Sequence, residues 1–514
     1  MRLGFHPAGT SAPGAMLPRA VAGLGPLVLF AAVAGATLAA AVSGGNPALA
    51  LLPAALVGLA YAAASAPLRL SAAALLALLL AAEDHGDIAL QWRSPLAVVG
   101  DLLHFRVDAV AGIPGVAVTG TEVALALLFA VWVRRRARGD RTDAPDVVEP
   151  ASILRSVLVL YVGAVVLSEV VGLARGLPLA PWKLRNLLHP LALALLFLAA
   201  FRAERDQLLA GRVVVFAALC RAVQAVVVQQ VAAAETGGPL AHATSHGDSV
   251  LFSVAMVLLV VDLAERPDGR RLLRAAVLLP VLLMGAVENN RRILWVMVGL
   301  MLIAWYAVGR RQAWGRAVTR VLVFSLPVVA LYVGVGWDRG SRVFAPVKIL
   351  RGVTDTSRDR SAYWREVENW NIAMSMRQSP LLGVGLGGEY TEVMANDDVS
   401  AGFKEYREWP HNTVLGLLLL MGVFGATAVL LLPALVVFLS VRSYRLAATA
   451  SQRVAAAGTL AAVVACQVLA WGDTGAHFPQ YKVVLALAVA VSARLASATG
   501  AWPARPRQLR PTFA

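Results

Sequence analysis

Runs of roughly 17–25 mostly aliphatic residues follow one another along nearly the whole chain, parted by short polar or basic stretches. Each run is long enough to cross the hydrocarbon of a bilayer, about 30 Å. No water is present there to bond the backbone, so only helices or a closed barrel can span it. A barrel would show short segments of alternating polarity, roughly ten residues each. The runs are longer and apolar throughout, which predicts an all-α polytopic membrane protein. Composition agrees: 58% of the residues are hydrophobic and 15% charged, against about 25% charged in a soluble domain. The net charge of +15 raises the question of nucleic acid. The basic residues are scattered between apolar runs, with no single basic face, so nucleic acid is excluded as a partner. Cys220 and Cys466 lie inside apolar runs without ligand spacing, which gives neither a disulfide framework nor a metal site.

About fourteen spans can be drawn, centred near residues 31, 56, 76, 125, 163, 194, 222, 256, 279, 300, 326, 426, 462 and 488. Arginine clusters orient them. Arg134-Arg135-Arg136, Arg202 with Arg205, Arg266 to Arg274, Arg310 to Arg320 and Arg442 to Arg453 each follow an even-numbered span. Basic loops stay in the cytoplasm, so the N- and C-termini are expected inside. The expected organisation is a disordered cytoplasmic segment at 1–19, spans one to eleven with short loops over 20–337, and an extracytoplasmic loop at 338–411. Spans twelve to fourteen follow over 412–495, with a basic cytoplasmic tail at 496–514.

The loop at 338–411 is the one large polar insert, with ten Lys/Arg and eleven Asp/Glu. Within it, 361–379 reads as a helix, because Tyr363, Val367, Trp370 and Met374 recur at helical spacing as an apolar stripe. Trp364 and Trp370 suit a helix lying at the membrane interface. Gly383-Val384-Gly385-Leu386-Gly387-Gly388 superficially resembles a phosphate loop. It lacks the strand-to-helix setting and the following Gly-Lys-Ser/Thr, and reads as a flexible turn.

Several polar residues at the outer ends of spans can carry chemistry. Arg291 and Arg292 open span ten. Such arginines either snorkel to headgroups or bind a diphosphate, whose oxygens match a guanidinium fork. Arg358, Arg360 and Arg365 form a second cationic group beside the interfacial helix. His411 closes the insert at the mouth of span twelve and has a side chain able to take a proton from a hydroxyl near neutral pH. His242 and His246, near Asp248, are spaced as on one helical face. The glycines and proline around them favour a polar cavity rim over a metal site.

The sequence over roughly 235–440 resembles the O-antigen ligase and polymerase superfamily of bacterial inner membranes. The resemblance lies in Asn290-Arg291-Arg292, in Arg360-Ser361-Ala362-Tyr363-Trp364, and in Ser379-Pro380-Leu381-Leu382-Gly383-Val384-Gly385-Leu386-Gly387. It continues through His411-Asn412-Thr413-Val414-Leu415 and Met421-Gly422-Val423-Phe424-Gly425. It implies a GT-C-like bundle of about 12–14 spans with a periplasmic catalytic loop. The implied enzyme is a metal-independent glycosyltransferase without a cofactor. Its donor is an undecaprenyl-diphosphate-linked glycan, its acceptor a lipid or another glycan, and membrane lipids surround it. By position His411 corresponds to the family's essential histidine, Arg360 to its loop arginine, and Arg291 or Arg292 to its span-end arginine. Asn412, Arg358, Arg365, His246 and Asp473 are possible substrate contacts. A flippase for the same lipid-linked sugars is the alternative. Transporters, however, show internal repeats and polar residues at mid-membrane depth, whereas here the polar density is gathered in one insert.

Overall fold

The computed structural model describes residues 65–83, 96–105, 118–137, 148–339, 360–396 and 406–502, with isolated positions besides. Met1–Pro67 and Leu68–Ala514 form two units. The expected N-terminal segment, the first two spans, Arg358 and the end of the basic tail lie outside the described residues.

Every regular element of the described second unit is helical. In chain order these are α1 (Leu68–Ala81), α2 (Ala97–His104), α3 (Gly120–Ala137), α4 (Ile153–Ala174), α5 (Pro181–Ala200), α6 (Glu204–Thr236) and α7 (His246–Glu265). There follow α8 (Gly269–Asn289), α9 (Arg292–Gly309), α10 (Ala313–Gly336), α11 (Arg360–Met376), α12 (Thr413–Leu446), α13 (Ala450–Gly472) and α14 (Pro479–Ala498). Ten of them, α4 to α10 and α12 to α14, are long and apolar enough to cross a membrane. They coincide with expected spans five to fourteen. The run near 76 forms α1, shorter than a span at 14 residues. The run near 125 forms α3, whose last turn carries Arg134, Arg135 and Arg136.

The core is built on small residues. α13 buries Ala456, Ala457, Gly458, Ala461, Ala462 and Ala465, and lies against α12, α7, α14 and α9. In lipid, helices associate through close backbone approach. A Cβ on Gly458 would meet Leu258 Cδ2 of α7 at 2.6 Å. A polar clamp adds to this: Arg221 of α6 holds both carboxylate oxygens of Asp248 of α7, at 3.1 and 2.6 Å. Gln480 of α14 donates to the same carboxylate at 3.4 Å. Asp248 also accepts from Ser245 N, completing the cap that begins α7.

α12 is broken at Gly422, whose φ of 62° and ψ of −173° lie outside the helical range. The break frees backbone groups at membrane depth, where each must find a partner. The Pro380–Leu386 turn supplies them. Val384 and Gly385 N–H donate to Leu419 and Leu420 carbonyls, and Val423 and Phe424 N–H donate to Pro380 and Leu381 carbonyls. Leu386 N–H reaches Ser168 O of α4. Gly383 has φ 73°, and a Cβ there would stand 2.4 Å from Leu420 C. The glycine-rich segment is therefore a bonded plug and not a free turn. Gly383 and Gly385 answer to packing, since each sits where two backbones touch.

Candidate active site

α11 brings the polar insert back onto the bundle, against α12. Its register differs from the expected apolar stripe. Val367, Glu368, Asn371, Ile372 and Ser375 face inward, while Tyr363 and Trp370 are exposed. The buried face is half polar because it bonds loop backbone: Asn371 Oδ1 accepts from Val393 and Met394 N–H, and its Nδ2 donates to Met394 O. Ser375 Oγ accepts from Thr391 N–H. The outward aromatics remain placed to meet an interface.

The same face aims Glu368 at His411. His411 Nδ1 lies 3.1 and 3.2 Å from the two Glu368 oxygens, and the His411 backbone N–H donates to them at 3.3 and 3.4 Å. The Glu368 side chain is 2% exposed and that of His411 38%, so the carboxylate is sealed below an open imidazole. Burial lowers the His411 pKa, but the Glu368 hydrogen bond and charge, aided by Asp473, outweigh it and raise the value above that of a free histidine. The next residue, Asn412, caps α12 by accepting from Leu415 N–H at 3.1 Å, and is buried. That bond orients His411 through the chain and turns Asn412 inward.

A second charged group adjoins the first. Asp473, at the end of α13, meets His246 Nδ1 at 2.6 Å and Arg365 Nη2 at 3.9 Å. Its backbone carbonyl accepts from Thr413 Oγ1, two residues after His411. Burial pushes the Asp473 pKa up, yet the His246 hydrogen bond and the charges of His246, Arg365 and His411 hold it well below the usual carboxylate range. His477 lies close by. Burial, with the Lys482 charge, lowers its pKa to about 4, which leaves it neutral.

Arg291 and Arg292 stand at the same end of the bundle. Arg291 is the residue before α9, and Arg292 its first. The turn that presents them is fixed. Asn289 is fully buried and bonds Thr244, Ser245 and Ser249, while Asn290 adopts a left-handed φ of 49° and donates to Ala241 O. Ile293, next to Arg292, packs where a Cβ on Gly472 would meet its Cδ1 at 2.8 Å. Gly472 precedes Asp473, so α9 begins beside the carboxylate cluster. Arg360 is the first residue of α11, but its side chain, like Arg358, lies outside what is described.

The structure thus gathers His411, Asp473, His246 and Arg365 at one end, with Arg291 and Arg292 beside them. Arg365 and His246 both pair with Asp473. His242 falls in the loop before α7 and does not share a helical face with His246. Glu368 is the residue that the sequence reading passed over. Nothing local to α11 marks it; its place in the site comes from the contact with His411, 43 residues further on.

The all-helical build with ten helices long and apolar enough to cross a membrane defines the class: an all-α polytopic membrane protein. The model of the O-antigen ligase family (Wzy_C) matches residues 277–430, from within α8 to within α12. This segment is similar to the O-antigen ligase family, which supports an O-antigen ligase-type function in general. Arg291, Arg292, Arg360, Arg365, Glu368 and His411 fall inside it, and His246 and Asp473 outside. No curated protein matches the chain.

Proposed function

We propose that the protein transfers a glycan from an undecaprenyl-diphosphate carrier to an acceptor hydroxyl of a lipid or a second glycan, at the periplasmic face of a bacterial inner membrane. The observation that carries this reading is the His411–Glu368 pair, placed beside Asp473 in a segment that matches the O-antigen ligase family. Nδ1–H donates to Glu368, which leaves the Nε2 lone pair free to accept. Nε2 takes the acceptor proton as that oxygen bonds to the anomeric carbon. The bond from this carbon to the diphosphate oxygen breaks, and its electron pair leaves with the diphosphate. Arg291, Arg292 and Arg360 stabilise the growing negative charge, a task suited to guanidinium groups that match phosphate oxygens. Glu368 and Asp473 stabilise the imidazolium that forms, in the way a buried carboxylate supports a catalytic histidine.

The test uses purified protein in lipid nanodiscs with a lipid-linked glycan from its own surface-polysaccharide pathway. The expected result is acceptor-dependent release of polyprenyl diphosphate. His411→Ala should lose it by about a thousandfold while remaining folded in the membrane. Full release by that variant would remove His411 from the mechanism, and no release by the wild type would remove the transferase reading.

A further inference from the structure

Among the described residues, four prolines sit inside helices: Pro190 of α5, Pro280 of α8, Pro327 of α10 and Pro433 of α12. Pro280 and Pro327 are exposed, whereas Pro190 and Pro433 are buried. The buried two share a neighbour. A cavity of about 30 Å³ lies between Tyr161 of α4, Asn186 and Pro190 of α5, Val429 and Pro433 of α12, and Tyr481 of α14. A proline has no N–H, so the carbonyl four residues before it loses its helical donor. For Pro190 that carbonyl belongs to Asn186, and for Pro433 to Val429. Both residues stand in the cavity wall. Two helices therefore bring a freed acceptor to one space.

Asn186 adds a donor. It is 2% exposed, and Lys482 Nζ donates to its Oδ1 at 2.6 Å. Lysine can only donate, so this contact fixes which end of the amide is oxygen. The other end, Nδ2, is buried and has no protein partner. The wall also holds two hydroxyls with lone pairs to spare. Tyr161 donates to Leu187 O at 3.0 Å, and Thr413 donates to Asp473 O at 3.2 Å. At membrane depth freed backbone groups need a partner. A water needs about 10–15 Å³ of such a space and two to four polar partners, so the cavity admits about two.

We propose that this cavity is an internal water site, in which ordered waters accept from Asn186 Nδ2 and donate to the Asn186 and Val429 carbonyls. The waters replace the two helical donors that proline removes, and they join α5 to α12 where each ladder is interrupted. Thr413, two residues after His411, links them to the backbone of Asp473 beneath the site. A lipid acyl chain would match the apolar part of the wall but none of these polar groups. The inference holds whether or not His411 acts as a base.

The experiment is radiolytic footprinting of the full chain in nanodiscs. An X-ray pulse converts water to hydroxyl radicals, which modify the side chains that the water touches, and mass spectrometry reads the positions. Tyr161 and Tyr481 are buried, yet they should be modified severalfold more than Phe197 and Phe252, buried aromatics that do not line the cavity. Pro190→Ala returns an N–H to α5 and pairs Asn186 O, which takes a partner from the waters and should at least halve the Tyr161 signal. Pro433→Ala does the same for Val429 O in α12. The wild-type comparison needs neither variant to fold. Tyrosines modified no more than the two phenylalanines would mean a dry cavity and overturn the proposal. A Tyr161 signal unchanged in both proline variants would show that the freed carbonyls do not hold the waters, and would overturn it too.

Discussion

The bundle core around α13 and the edge formed by α8, α9 and α10 are equally apolar in sequence, yet they are built for different neighbours. In α13 and α14 the apolar windows are 72% and 83% buried, and alanine and glycine let the helices close on one another. At the edge, large apolar side chains point outward: Phe324 is 80% exposed and Leu326 68%. The core also encloses charge, in the Arg221–Asp248 clamp, while the edge keeps its charge at the helix ends. Small residues and paired polar groups mark helices that meet protein; bulky residues mark helices that meet lipid.

Substitutions in the two regions should separate accordingly. Asp248→Asn breaks the buried clamp and leaves Arg221 partly uncompensated, a loss of about 3–5 kcal/mol, seen as a large fall in the melting temperature of the detergent-purified protein. Gly422→Ala adds a Cβ 2.2 Å from Leu381 O at a positive φ. It should cost about 3 kcal/mol and loosen the Pro380–Leu386 plug, making that turn sensitive to hydrogen exchange. Phe324→Ala on the edge should shift stability by no more than about 0.5 kcal/mol in the same melting assay. Equal losses at Asp248 and Phe324 would erase the contrast between core and edge.

The sequence made the apolar spans easy to read, since length and hydropathy alone decide them. Spans five to fourteen appear where the runs lie. It also brought out His411, Asp473 and the arginines, because isolated polar residues at span ends stand out. The rest depended on contacts between distant segments. Glu368 meets His411 across 43 residues, and nothing local to α11 distinguishes it from Glu366. The stripe of Tyr363, Val367, Trp370 and Met374 suggested a helix at the membrane interface, and Tyr363 and Trp370 do face outward; the polar inward face was not legible, because loop backbone at 391–394 bonds to Asn371 and Ser375. The glycines at 383–387 looked like a flexible link because their partner, the break at Gly422, lies in another segment. The pairing of Arg365 and His246 with Asp473 was not legible either, because Asp473 lies more than 100 residues further along the chain.

The central claim is that Glu368 holds His411 as a base with a raised pKa. A base must be neutral to accept a proton, so transfer should fall as pH drops through the His411 pKa, which lies above the ordinary histidine value of about 6.5. Glu368→Gln keeps a carbonyl for Nδ1–H but removes the charge. The direct measurement is the pH dependence of the maximal transfer rate in the wild type and this variant, both reconstituted in nanodiscs. The account predicts that the variant's acid limb moves to lower pH and that its plateau rate drops about tenfold. An acid limb at the same pH in both proteins would contradict it.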